Sequence, residues 1–263
     1  MTDKVVPINS ASSKTLDYAQ RLRGFLADSK RAVVFTGAGI STESGIPDFR
    51  SPGGIWSKFK PIDFNDFLTS AHARRESWRL KFMFDEDMRK AEPNLGHRAI
   101  SKLVAEGVVS HVITQNVDGL HQRSGVPDER VIELHGNTTY AHCLDCGQRY
   151  DLGLIKANFE RDESMPICDH CDGLVKTATI SFGQAMPEKA MLKAQAASVN
   201  CDLFIAIGSS LVVYPAAGFP VIAKRNGAQL VIINRETTDL DDLADLVIQD
   251  EIGPVLSKST GIS

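Results

Sequence analysis

An apolar run, Ala32-Val33-Val34-Phe35, leads straight into Thr36-Gly37-Ala38-Gly39, and this junction narrows the possible folds more than any other stretch of the chain. Four consecutive apolar residues bounded by a turn read as a strand buried on both faces, as in a parallel sheet. Glycines after the strand let the backbone turn sharply and approach a ligand with no Cβ in the way. Ile40 to Ser44 can then open a helix whose first N–H groups, with the helix dipole, suit a phosphate. That is the logic of a dinucleotide-binding turn. The third glycine of the usual fingerprint would fall at Thr42 and is missing, so the glycine pattern alone also fits a plain tight turn. Pro47 breaks any helix and holds Ile46 extended. Gly45 to Arg50 is therefore expected to be an irregular loop whose Asp48, Phe49 and Arg50 can fold over a ligand.

The same pattern repeats along the chain. Val108 to Thr114 ends in Gln115-Asn116-Val117-Asp118, and Val131 to Leu134 ends in His135-Gly136-Asn137. Leu203 to Ile207 ends in Gly208-Ser209-Ser210, and Leu230 to Ile233 ends in Asn234-Arg235-Glu236. Leu246-Val247-Ile248 is a short sixth apolar run. In a parallel sheet these polar ends lie along one edge, where open α/β sheets bind ligands. Helical spacing of Leu16, Ala19, Leu22, Phe25 and Leu26 predicts a helix near 14–28 that packs on the sheet. Residues near 70–90 and 97–105 also read as helices, the second started by Pro93-Asn94. The stretch 51–69 combines Pro52-Gly53-Gly54 with Ile55, Trp56, Phe59, Phe64 and Phe67, which fits a mobile aromatic lid or a loop pinned into the core.

At 263 residues, with 43% hydrophobic and 24% charged content, the chain fits one large domain with one small one. A net charge of −4 gives no footprint for nucleic acid. No apolar run approaches the roughly 20 residues of a membrane span, and the first residues lack the apolar core of a secretory signal. A soluble, cytoplasmic monomer with no nucleic-acid or membrane partner is expected. The expected division is a Rossmann-like α/β domain over 14–137 and 184–255, a parallel sheet with helices on both faces. A small inserted module would span 138–183, with flexible termini at 1–13 and 256–263.

The module carries two knuckles, Cys143-x-x-Cys146 and Cys168-x-x-Cys171. Without an export signal, paired Cys-x-x-Cys motifs favour zinc over disulfides. Four thiolates close a tetrahedral shell with no open position, which makes the metal structural. It would replace the apolar core that so small a module cannot build. His142 and His170 flank the knuckles and read as bystanders, and Cys201 reads as a small core residue.

Among seven histidines, His135 stands out. It ends an apolar strand on the inferred cleft edge, where an imidazole can act as a general base near neutral pH. His121 is the second candidate, since it too follows a strand end. No Gly-x-Ser-x-Gly elbow and no Gly-x-x-x-x-Gly-Lys-[Ser/Thr] loop is present, which sets serine triads and ATP chemistry aside.

Taken together, Gly37-Ala38-Gly39-Ile40-Ser41, Gly45 to Arg50, Thr114 to Asp118, His135-Gly136, the two Cys-x-x-Cys pairs and Gly208-Ser209-Ser210 resemble the sirtuins in order and spacing, over about residues 15–255. The resemblance implies a Rossmann-like domain with a small zinc-binding domain, and removal of acyl groups from protein lysines with NAD consumed as co-substrate. It implies that Gly37, Ala38 and Gly39 hold the NAD phosphates with Gly208, Ser209 and Ser210 nearby, and that Phe49 and Arg50, with Asp48 and Trp56, cover the ribose and nicotinamide side. Gln115, Asn116 and Asp118 would line the nicotinamide pocket, Asp118 bonding the carboxamide. Asn234, with Arg235 and Glu236, would take the adenosine ribose. Phe182, Gly183 and Gln184, after Ser181, would pair strand to strand with the acyl-lysine peptide.

The catalytic pair implied is His135, as base toward the ribose, and Asn116; the products implied are free lysine, nicotinamide and 2′-O-acyl-ADP-ribose. Three features depart from the family pattern. The Tyr-x-x-Arg pair of desuccinylating members has only Trp78-x-x-Lys81 as its nearest match, and Lys lacks a bidentate fork. The usual Gly-Thr-Ser is Gly208-Ser209-Ser210, and Gln184 stands where many members carry an acid. An ADP-ribosyltransferase on the same pocket, a non-catalytic NAD-sensing module and, less favoured, a hydride-transferring dehydrogenase are the competing readings.

Overall fold

A computed structural model of the chain describes residues 10–48, 54 and 59–262. Its centre is a six-stranded sheet built from β1 (Ala32–Thr36), β2 (Val109–Thr114), β3 (Val131–Glu133), β7 (Leu203–Ile207), β8 (Gln229–Ile233) and β9 (Leu246–Ile248). The strand order is β3-β2-β1-β7-β8-β9, and every pairing is parallel. The chain winds outward from β1 in one direction through β2 and β3, and in the other through β7 and β8. That reversal places a topological switch point at the carboxyl end of β1.

Alternation along each strand divides the apolar residues between two faces. Val34, Val112, Ile205 and Val231 pack against α1 (Ser10–Asp28), α4 (Leu95–Ala105) and α9 (Ile252–Thr260) through Leu22, Ile100, Val255 and Leu256. Val33, Phe35, Phe204 and Ile232 pack against α7 (Glu188–Asn200) and α8 (Gly218–Arg225) through Ala194, Phe219 and Ala223. The predicted sheet with helices on both faces is therefore present. Asn94 caps α4 as its sequence predicts, its side chain accepting from the Gly96 and His97 N–H groups.

A second sheet, β5-β4-β6, is antiparallel and uses β4 (Gly136–Cys143), β5 (Arg149–Asp151) and β6 (Val175–Thr179). With α6 (Leu152–Asp162) it carries the four cysteines of the knuckles.

Several expectations need correction. Residues 256–260 are not a flexible tail: they complete α9, and Leu256 and Ser259 are buried. Helix α1 begins at Ser10 rather than 14, and its Leu16 points to solvent at 55% exposure; residues 1–9 lie outside the described residues. The small module is not confined to 138–183. Its sheet starts at Gly136, and Trp78 and Phe82 of α3 (Ala71–Lys90) complete its core with Leu152, Ile155 and Phe159. So small a unit has too few apolar residues of its own to close a core, and α3 adds two aromatic rings. The turn after β1 is a 3-10 turn over Ala38–Ser44, ended by Gly45 at φ 86°, in place of a helix N-terminus. Of the proposed lid, 54 and 59–69 are described. Phe67 of α2 (Phe64–Thr69) is buried and Phe59 meets Phe84 edge to face at 5.2 Å, which pins this end to the body.

Candidate functional site

The carboxyl ends of β1, β2, β3, β7 and β8 open onto one cavity of about 630 Å³, well within the range of small-molecule sites. Gly37, Ala38, Gly39, Gln115, Asn116, His135, Gly208, Ser209 and Ser210 all line it. Asn234, Arg235 and Glu236 close one end, Asp48 contributes to the wall, and Phe182, Gly183 and Gln184 lie at another side. Residues from seven separate stretches of chain thus share one space. Phe49, Arg50 and Trp56 lie outside the described residues.

The glycines here are demanded by backbone meeting backbone. A Cβ on Gly39 would sit 2.7 Å from the Gly208 Cα, and one on Gly37 2.7 Å from the Gly208 oxygen. The turns after β1 and β7 therefore nest together, tied by Gly39 N–H donating to the Gly208 carbonyl at 2.8 Å. This nesting brings Ser209 to Gln115, its Oγ donating to Oε1 at 2.7 Å.

Asn116 is buried and held by both sides of its amide nitrogen: Nδ2 donates to the Gly37 carbonyl and to Ser41 Oγ, each at 3.1 Å. Asp118 is buried beside it. Its Oδ2 accepts from Ser41 Oγ at 2.7 Å and its Oδ1 from the Leu120 N–H at 2.9 Å. Burial drives the Asp118 carboxyl above its ordinary range, and those two hydrogen bonds partly oppose it. Asp118 faces a small cleft shared with Ala38, Ser41 and Asn116, continuous in residues with the main cavity.

His135 sits where the chain leaves the large sheet for the small one. Its carbonyl accepts from the Ile180 N–H at 2.8 Å, and the next residue, Gly136, has φ 75°. Nδ1 lies 3.0 Å from the Gln115 carbonyl. A carbonyl only accepts, so Nδ1 carries the proton and the lone pair resides on Nε2.

His121, the second candidate base, is buried at 1% exposure with Nε2 bonded to Thr36 Oγ1 at 2.9 Å. Burial holds its pKa down at about 4, and it does not line the cavity. It is a core residue because the short α5 (Leu120–Arg123) turns it inward beneath the sheet edge.

The four cysteine sulfurs lie within 4.8 Å of one another, with Cys143 to Cys171 at 3.5 Å and Cys146 to Cys168 at 3.6 Å. Four thiolates ~2.3 Å from one zinc stand about 3.8 Å apart in a tetrahedron, so this donor set fits the ion. Tyr150 donates to Cys168 Sγ at 3.1 Å, the kind of outer partner that orients a thiolate ligand. NAD also fits: the cavity offers a glycine turn at a switch point with buried Asn116 and Ser209 on its lining, and buried Asp118 stands in the adjoining small cleft.

Two features differ from the sequence reading. Ser181 to Gln184 is a tight turn, not a strand: the Gln184 N–H donates to the Ser181 carbonyl at 3.0 Å and Gly183 has φ 79°. Trp78 faces the small module, whereas Lys81 lines the cavity with its ammonium 2.5 Å from Asp85. Sequence reasoning passed over Ser41, which couples Asn116 to Asp118, and Val213-Tyr214-Pro215, which wall the cavity. The signal for Ser41 is a hydroxyl directly behind the glycine turn.

Comparison with known proteins agrees with this geometry. Residues 37–215 match the model of the Sir2 family. The chain is 60% identical over 242 residues to NAD-dependent protein deacetylase 1 of Bradyrhizobium diazoefficiens, covering 92% of this chain and 95% of the relative. It is 43% identical to NAD-dependent protein deacylase 2 of Archaeoglobus fulgidus, over 92% of this chain and 94% of that one. A solved structure of Sir2 with a p53 peptide and NAD+ is 38% identical, with TM-score 0.83 over 93% of this chain and 99% of that one.

Proposed function

This chain belongs to the Sir2 family, and we propose that it is an NAD-dependent protein-lysine deacylase acting chiefly on acetyl-lysine. The observation that carries the reading is His135 on the wall of the cavity that the Gly37–Gly39 turn opens into, its tautomer set by the Gln115 carbonyl. NAD supplies the ADP-ribosyl group that accepts the acyl chain.

The chain's own residues then divide the work. His135 Nε2 takes a proton from the ribose and raises the nucleophilicity of its oxygen. Asn116, its amide nitrogen held by Gly37 and Ser41, presents a pre-oriented dipole where charge develops as nicotinamide leaves. Asp118 receives the carboxamide, and Ser209, locked to Gln115, sits beside the phosphates. Arg235, paired with Glu251 at 2.9 Å, and Asn234 hold the adenosine end. The peptide docks along the turn at Phe182, Gly183 and Gln184. Leu80, Phe84 and Met88 make the α3 wall apolar, and Asp85 already occupies the Lys81 ammonium. That wall favours a short neutral acyl group over a carboxylate-bearing one. Among the described residues no helix is long and apolar enough to cross a membrane, and we place the enzyme in the cytoplasm as a monomer.

A panel of acyl-lysine peptides assayed with NAD tests the proposal. Acetyl-lysine turnover with stoichiometric nicotinamide release is expected. His135→Ala should cut turnover by at least about a hundredfold while NAD still binds. ADP-ribose attached to protein without deacylation would sink the deacylase reading, as would retained turnover in that variant.

A further inference from the structure

Behind the cavity floor runs a buried string of hydrogen bonds that the proposed chemistry does not use. His121 Nε2 meets Thr36 Oγ1 at 2.9 Å, and Thr36 Oγ1 meets Thr114 Oγ1 at 2.8 Å. Thr114 Oγ1 accepts the backbone N–H of Asn116 at 3.0 Å. Thr36 and Thr114 are the last residues of adjacent strands and stand in register, so their side chains fall on the same side of the sheet at its functional edge. His121, Thr36 and Thr114 are all buried.

The string ends on Asn116, a buried residue on the cavity lining. Among the described residues, the other cross-links of Asn116 run through its side chain, to Gly37 and Ser41. The Thr114 hydroxyl fixes its backbone, and thus the angle from which that side chain enters the cavity. Packing alone does not call for a histidine at 121. Its Nδ1 has no protein partner among the described residues, a cost of about 1–3 kcal/mol that a phenyl ring would avoid. What a phenyl ring lacks is the bond to Thr36.

We propose that His121, Thr36 and Thr114 are positioning residues for the reaction, a buried relay that sets the backbone of Asn116 and so the aim of its amide. The proposal rests on the reading of Asn116 as part of the nicotinamide pocket. Misplacing a group by about 1 Å can cost as much as a hundredfold in rate while ground-state binding stays close to normal. The relay should therefore show in nicotinamide cleavage and not in NAD affinity.

The experiment uses the full chain with NAD and an acetyl-lysine peptide. It measures the single-turnover rate of nicotinamide release, the exchange of labelled nicotinamide into NAD, the dissociation constant of NAD, and the melting temperature. Thr36→Val and Thr114→Val keep shape and remove only the hydroxyl. Each should slow nicotinamide release about tenfold or more with NAD binding within about threefold of wild type. Thr36→Ser and His121→Gln keep a hydrogen-bonding atom in place and should recover most of the rate, whereas His121→Phe should not.

If a valine variant melts below the assay temperature, the Ser/Val and Gln/Phe comparisons are made at a lower temperature where both members are folded. Wild-type rates in both valine variants, or equal losses in Thr36→Ser and Thr36→Val, would overturn the relay. A wild-type chain that releases no nicotinamide would bring down the deacylase reading and the relay with it. Release that proceeds normally but ignores the relay would bring down the relay alone.

Discussion

His135 and His121 both follow the ends of parallel strands, and their surroundings give them different chemistry. His135 is at the crossing between two sheets, one nitrogen tied to a carbonyl and the ring on the cavity wall. His121 is buried, as is His97, whose ring centroid lies 5.1 Å from it. Burial lowers both, to about 4 for His121 and about 2 for His97. An imidazole that is neutral in the fold and protonates near its ordinary value when unfolded gives the unfolded chain the extra proton. Stability is then complete above about pH 6.5 and falls as pH drops toward the folded values, by up to about 1.4 kcal/mol per pH unit for each histidine. The raised carboxyls of Asp118 and Glu133 act in the opposite sense, since their folded state holds the proton longer. The contribution of one histidine is therefore read by difference. Urea midpoints of wild type should fall more steeply between pH 6.5 and 4.5 than those of His121→Gln, and parallel slopes would refute the buried neutral imidazole.

At the scale of elements, the junction between β3 and β4 decides where the site can be. The chain passes from a parallel sheet to an antiparallel one within His135-Gly136, and Gly136 takes φ 75° with its missing Cβ 1.9 Å from the Ala178 oxygen. No side chain fits there. Gly136→Ala should lower stability by more than about 3 kcal/mol, through clash and backbone strain together, seen as a lower urea midpoint; a shift under about 1 kcal/mol would mean that β6 can move aside. This junction was legible in the sequence as a largely apolar run ending in His-Gly, although β3 is a half-buried edge strand that carries Glu133. The same logic exposed β1, β2, β7 and β8 and the polar ends that gather on one edge. Less legible was anything set by partners distant in sequence. The last turns of α9 read as a loose tail because Leu256 finds its neighbours in α1 and α4. Ser181 to Gln184 read as a strand, but it is a turn tied to distant chain, the Phe64 N–H donating to the Phe182 carbonyl at 2.8 Å across more than a hundred residues. Thr36 and Thr114 read only as strand ends, since nothing local shows that two hydroxyls stand side by side.

At the scale of the molecule, the metal module and the cleft share a wall. Cys143 and Cys168 belong to the same apolar cluster as Trp78 and Phe82 of α3, while Ser77, Leu80, Lys81 and Phe84 of that helix line the cavity. Losing the zinc would free four thiolates that repel one another once ionised and leave too small a core to hold the module. The consequence should travel through α3 to the side of the cavity proposed for the acyl group and peptide. It should largely spare the proposed NAD end, where Gly37, Ser209, Asn116 and Asn234 follow strands of the six-stranded sheet. Slow removal of zinc with a strong chelator should therefore red-shift the fluorescence of Trp78, lower the melting temperature, and raise the peptide KM about tenfold or more. The NAD dissociation constant should stay within about threefold. Trp78→Phe, which leaves Trp56 as the remaining tryptophan, assigns the optical signal to the module. An equal loss of NAD and peptide affinity would instead mean that the two sheets unfold as one cooperative unit. Unchanged fluorescence and melting after the metal is gone would mean that the module's apolar cluster holds without it.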